Sequence, residues 1–266
     1  MQSEYWHKQA SDKPLFPDLL WSRPENRQLA GKLLIIGGNL HGFAAPAEGF
    51  QEATKAGVGV ARVLLPEALQ KTVGSAFEAG EYAPSTPSGS FSQKSLNEFL
   101  QASQWAESVL LTGDLGRNSE TAILLEKFAE KYAGPLAITK DAADYFTGIP
   151  QKVLHRPDTL FVVSLAQLQK LASSAGFTKP FTFNMDLLRL VETLHEFTST
   201  YATSIVVKHL DTLYVATGGE VSTTKLAEDK ETWRVITAAH AAVWWLQNPG
   251  KPFEALTTAV HEAAKS

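Results

Sequence analysis

Residues 32–66 run KLLIIGGNLHGFAAPAEGFQEATKAGVGVARVLLP and contain a whole strand–loop–helix–turn–strand unit. Lys32–Gly37 is a short continuous apolar run closed by Gly37-Gly38, the pattern of a strand buried on both faces. Ala45–Ala56 has helical spacing and stops at Gly57. Val58–Leu65 predicts a second strand, and Pro66 opens a short helix at a position proline tolerates. Working outward, the first 25 residues are mixed, with Pro14, Pro17 and Pro24 among Trp6, Phe16, Leu20 and Trp21. They are expected to form an arm, residues 1–25, ahead of one domain over 26–266.

Downstream, Gly80–Ser92 is rich in Pro, Ser and Gly and predicts a surface loop. The rhythm then resumes with strands at Ser108–Thr112, Pro135–Thr139 and Leu160–Val163. Helices are expected at Ser119–Tyr132, capped by Ser119, at Leu165–Ala172 and at Met185–Thr198. Ser204–Val207, Thr212–Ala216 and Glu220–Thr224 follow around Gly218-Gly219 as an antiparallel meander. Helices Thr232–Gln247 and Pro252–Ala264 end the chain. Strands alternating with helices imply a three-layer α/β/α domain with a mostly parallel sheet and an antiparallel edge.

The composition narrows the function classes. The 266 residues are 44% hydrophobic and 20% charged, with a net charge of −4, which excludes wholesale disorder and favours a sizeable core. Cysteine is absent, so disulfides, thiolate metal sites and cysteine nucleophiles are excluded. No basic segment precedes an apolar core at the start, and no apolar run approaches the roughly 18 residues of a membrane span. The mild acidity argues against nucleic acid as a partner. A cytoplasmic protein without membrane association is expected.

In such sheets ligands bind beyond the carboxyl ends of the strands, where glycines let the backbone approach phosphate. Two loops have that setting: Gly37-Gly38-Asn39-Leu40-His41-Gly42 and Thr112-Gly113-Asp114-Leu115-Gly116-Arg117. Neither has the P-loop ending or the dinucleotide glycine spacing. Both also read as tight turns that need glycine.

At this point the chain resembles the ADP/ATP-dependent NAD(P)H-hydrate dehydratases, which have a ribokinase-like fold. The likeness runs through GKLLIIGGNLHGFAAP, the A-G-x-G within Lys55–Gly59, LLTGDLGRNSET, PLAITKDAADYF, VVKHLDT and KPFEA, in order over residues 32–260. It implies a cleft formed by Gly38, Asn39, His41, Gly116, Arg117, Asp144, Lys208 and Thr212. It also implies ADP or ATP with Mg²⁺, a hydrated NAD(P)H-type dinucleotide as ligand, and homo-oligomerisation.

The departures from the family bear on activity. Its G-[ST]-G-D motif, which cradles phosphate and supplies the base, falls on Trp233-Arg234-Val235-Ile236. The nearest acids, Asp229 and Glu231, lack flanking glycines. Its T-P-H-P-G-E segment falls on Val162–Gln167, so the His and Glu are replaced, and its H-K-G becomes Asn26-Arg27-Gln28. Asp141–Asp144 keeps one acid and changes Asn to Asp. No residue is therefore named as a catalytic group. Two readings stand: a catalytically silent relative that binds a nucleotide or dinucleotide, or an active dehydratase or small-molecule kinase with a relocated base.

Single residues carry paired readings. Lys208 ends a buried strand, where it suits either a phosphate or solvent; Arg117 suits a phosphate or a surface ion pair. Asp114 and Asp141 suit water-mediated Mg²⁺ or backbone capping. The seven histidines show no i,i+4 pair, which argues against zinc. His240, on one helix face with Ile236 and Trp244, suits a partly buried structural role. Trp233, Trp244 and Trp245 surround the lost motif and could fill the vacated site or form an interface. No G-x-S-x-G elbow is present.

Overall fold

The computed structural model describes residues 4–10, 12–74, 77–226 and 233–265. Among them ten strands form one sheet: β1 (Trp6–Gln9), β2 (Lys32–Gly37), β3 (Val60–Pro66), β4 (Gly80–Ala83), β5 (Ser108–Gly113), β6 (Leu136–Thr139), β7 (Thr159–Ser164), β8 (Ser204–His209), β9 (Thr212–Thr217) and β10 (Glu220–Lys225). Their order across the sheet is β1-β10-β9-β8-β7-β6-β5-β2-β3-β4. Neighbours from β8 to β4 are all parallel, and β9 alone runs against both of its neighbours. The mostly parallel sheet with an antiparallel edge region is therefore present, and β1 adds a parallel outer strand to β10.

Strand alternation divides the core into two layers. Leu33 and Ile35 of β2 join Val63, Leu110, Leu160 and Val206 beneath the helices Ala44–Lys55, Trp233–Gln247 and Pro252–Lys265. Leu34 and Ile36 join Leu64, Leu111, Ile138, Phe161 and Val207 on the other face, against the helices Leu96–Trp105, Ser119–Lys131, Leu165–Ser174 and Leu187–Thr200. Burial on both faces is why the central strands read as unbroken apolar runs rather than alternating ones.

Several local expectations need correction. Gly80–Ala83 lies inside the segment read as a loop, yet it pairs with Val63–Pro66 as β4. Its neighbours Pro84, Pro87 and Ser88 masked so short a strand. The cap of the Ser119–Lys131 helix is Asn118, not Ser119: its side chain accepts from the N–H groups of Glu120 and Thr121. Within the expected arm, Trp6–Gln9 pairs with this chain's own β10, and Trp6 Nε1 donates to Thr223 Oγ1 at 3.1 Å. The last long helix but one begins at Trp233 among the described residues; Thr232, Asp229 and Glu231 lie outside them.

Candidate functional site

The loops that leave β2, β5, β6 and β7 meet at the carboxyl edge of the sheet. Their backbone carries most of the unusual geometry there. Asp114 and Lys140, at the ends of the adjacent strands β5 and β6, both sit at positive φ (56° and 50°), a region non-glycine residues enter only at a cost. Gly113, the last residue of β5 and directly before Asp114, has φ 109°, and a Cβ there would stand 2.4 Å from Asp141 Oδ1. That close approach explains the T-G-D sequence after β5.

Three side chains hold this backbone. Asp141 accepts the N–H groups of Asp114 at 2.7 Å and Leu115 at 2.9 Å. Burial pushes the Asp141 carboxyl above its ordinary value, although these N–H groups pull it back. Asp114 accepts the Ala45 N–H at 2.7 Å and pairs with Lys140 Nζ at 2.9 Å. Asn39 donates to the Asp114 carbonyl and accepts the His41 N–H at 2.7 Å. The two glycine-containing loops are thus tied to each other.

Both aspartates considered for Mg²⁺ spend their oxygens on backbone and Lys140. Among the described residues no group of three His, Asp or Glu is placed to hold a metal. The donor set does not fit a protein-held divalent ion.

Beside this frame lies a cavity of about 230 Å³ lined by Gly116, Arg117, Asn118, Asp141, Asp144 and Tyr145. It brings together three of the expected site residues, Gly116, Arg117 and Asp144. Tyr145, also in its lining, donates to the Gly116 carbonyl at 2.7 Å and accepts the Asn118 N–H at 3.2 Å. Gly38 is turned away from it: a Cβ there would meet Leu65, Leu69 and Phe43 at 3.3–3.4 Å. His41 is exposed on the loop.

Lys208 and Thr212 stand across the β8–β9 turn, one register step apart. Lys208 Nζ lies 5.7 Å from the centre of the Trp233 ring, and Thr212 Oγ1 donates to Asp211 at 3.1 Å. Ile236 is only 8% exposed. It borders a space of about 20 Å³ shared with Leu213, Leu226, Trp233 and Thr237. Trp244 and Trp245 do not belong there. They lie eleven and twelve residues along the helix from Trp233, about 16–18 Å at 1.5 Å per residue, and are buried in the core.

The residues overlooked in the sequence are Gln167 and Arg234. Gln167 Nε2 donates to Asp144 Oδ1 at 3.1 Å, and its Oε1 accepts from Arg234 Nη1 at 3.0 Å. The legible signal was Ser164-x-x-Gln167, a capping box that the structure contains. It marks a helix start at the edge of the cleft.

No protein-family model and no curated protein sequence matches the chain. Solved structures do. A ribokinase-like superfamily protein from Enterococcus faecalis superposes with TM-score 0.73 at 14% identity, covering 98% of this chain and 87% of its own. The ADP/ATP-dependent NAD(P)H-hydrate dehydratase of Bacillus subtilis, co-crystallised with ATP/Mg²⁺ and soaked with CoA, gives 0.67 at 12%, covering 95% and 87%. Adenosine kinase from Anopheles gambiae gives 0.59 at 10%, covering 98% and 94%. With the parallel sheet, its two helical layers and its carboxyl-edge cleft already established, these likenesses identify the fold of this chain as ribokinase-like.

Proposed function

We propose that this chain is a divergent NAD(P)H-hydrate dehydratase-like protein that binds a nucleotide or dinucleotide at the carboxyl-edge cleft and has lost most or all of the family's catalysis. The observation carrying this reading is Ile236. The resemblance puts a catalytic acid at that position, and a hydrocarbon packed among Leu213, Leu226 and Trp233 can neither take a proton nor stabilise charge. General-base catalysis alone is typically worth about 10²–10⁴ in rate. Binding is supported by the cavity of about 230 Å³ lined by Gly116 and Arg117, against about 20 Å³ for the space beside Ile236. Any Mg²⁺ would arrive with the nucleotide, because the aspartates nearby are already committed. Homo-oligomerisation belongs to the same reading, and sedimentation of the purified chain tests it.

The experiment is a thermal-shift titration with ADP, ATP, NADH and NADPH, each with and without Mg²⁺, beside a turnover assay on hydrated NADH and NADPH. At 100 times Kd a ligand adds about 2.7 kcal/mol. A saturable shift without turnover is the expected result. No shift with any ligand overturns the binding half. Turnover overturns the silent half and favours the active reading, for which Asp144 at the cavity wall is the available acid; Asp144→Asn would then abolish the rate.

A further inference from the structure

Where the turn between β8 and β9 meets the start of the Leu187–Thr200 helix, the surface carries side chains that the fold does not require. His209 Nε2 donates to the Met185 carbonyl at 3.1 Å and holds the two segments together. Around that bond Phe183, Leu188 and Leu210 are 61%, 57% and 78% exposed, and Leu187 is 38% exposed. Of the nine large apolar side chains exposed among the described residues, these four share one place. Scattered ones need no explanation, whereas a cluster marks a contact surface. Leu210 also stands at φ 53° in a two-residue hairpin turn, where asparagine or glycine is the unstrained choice.

The charges beside the patch are equally unexplained by the fold. Arg189 is the third residue of the helix, where a cation works against the positive end of the helix dipole. Arg189 and Glu192 are both exposed, lie one turn apart and line a cavity of about 320 Å³ together with Met185 and Thr193. Among the described residues neither has an ion pair, while Lys179–Glu196 and Lys225–Asp211 nearby are paired within the chain. A helix face with a cation and an anion three residues apart is complementary to the same face run in the opposite direction. A two-fold axis between them sets each Arg189 against the partner's Glu192. The same register brings Leu188 over the partner's Thr193, at the cavity.

We infer that the surface formed by residues 183–192 and Leu210 is a two-fold interface with a second copy of this chain. This rests on the homo-oligomerisation in the reading above and assigns where the copies meet. The four apolar side chains form the centre of the contact, and Arg189 with Glu192 forms its polar rim.

Sedimentation velocity of the full chain up to about 100 µM, where a micromolar dimer is well populated, gives the wild-type state. A dimer is expected. Arg189→Glu and Glu192→Arg each set like charges against one another twice across the axis, and each should weaken self-association at least about 30-fold. An equimolar mixture of the two variants regains an Arg–Glu pair at both contacts and should recover the dimer. Leu188→Asp should also dissociate it, and mixing with neither charge variant restores it. Thermal melts report folding, and Arg189→Glu should fold well because an acid three residues after Asp186 suits a helix start. If a reversal does not fold, Arg189→Ala and Glu192→Ala decide, each weakening association about threefold or more. A wild-type monomer over the whole range overturns this inference and homo-oligomerisation together, and leaves nucleotide binding to the thermal-shift titration. A dimer that neither reversal weakens overturns the inference and leaves homo-oligomerisation standing. Loss of the dimer in both reversals without recovery on mixing overturns the two-fold pairing.

Discussion

Asp141 shows how one side chain can set the geometry of a whole loop. Its two oxygens accept the N–H groups of Asp114 and Leu115, and those groups have no strand or helix to pair with, because the chain leaves β5 there at positive φ. Removing the acceptor strands both donors, at about 1–3 kcal/mol each. Asp141→Ala is therefore expected to cost about 2–5 kcal/mol in urea unfolding. Asp141→Asn keeps one acceptor and should cost roughly half as much. A loss under 1 kcal/mol for the alanine variant would show that the loop holds itself. At this scale the sequence was informative about place and poor about role. Gly116 and Arg117 were legible because glycines after a buried strand mark a turn at the sheet edge, and Asp144 only through the resemblance. The use of Asp114 and Asp141 as backbone acceptors was not. An acid looks the same in a sequence whether it faces an ion or an amide, and only the fold brings residues 114 and 141 within 3 Å.

Between elements, the Ala44–Lys55 and Trp233–Gln247 helices pack directly, and each reaches the cleft by its first turn. Their shared face buries a polar pair: Glu52 and His240 are 5% and 4% exposed, with Nε2 3.4 Å from Oε2. Burial pushes the His240 imidazole below its ordinary value, against the opposing pull of Glu52. The sign follows from proton counting. Between the lowered folded value and about 6.5, the unfolded chain holds a proton that the folded chain does not, so stability rises with pH. The contribution is complete above 6.5 and is lost as pH falls below it, by at most about 1.4 kcal/mol per pH unit. Urea midpoints at pH 5.5, 6.5 and 7.5 should drop toward acid, and His240→Gln should flatten that slope; an unchanged slope assigns it to other groups. The helix pattern foretold a structural His240 from its shared face with Ile236 and Trp244. Its partner lies 188 positions away, and no local pattern points to Glu52.

For the molecule as a whole, the sheet is complete only because its first strand lies beside its last. The central strands were legible because both of their faces are buried and their runs are apolar. β1 was not, because WHKQ is short and polar, and its pairing with Val221–Thr224 depends on the entire fold being in place. The ties are specific: Trp6 is buried, and Gln9 Nε2 donates to Thr224 Oγ1 and to the Thr257 carbonyl, both at 2.9 Å. Gln9 thereby joins β1 to β10 and to the Pro252–Lys265 helix. Removal of residues 1–9 would forfeit a buried Trp, worth about 3–5 kcal/mol by itself, together with the strand pairing. At about 2–4 °C per kcal/mol for a chain approaching this size, the melting temperature should fall by at least about 6 °C. The removal would also bare the edge of β10, and an unprotected strand edge recruits other chains. The truncated protein should therefore scatter light on warming at temperatures where the full chain does not. Trp6→Ala keeps the backbone pairing and should lower the melting temperature without the scattering. An unchanged melting temperature after truncation would make β1 an ornament of the sheet rather than its closing strand.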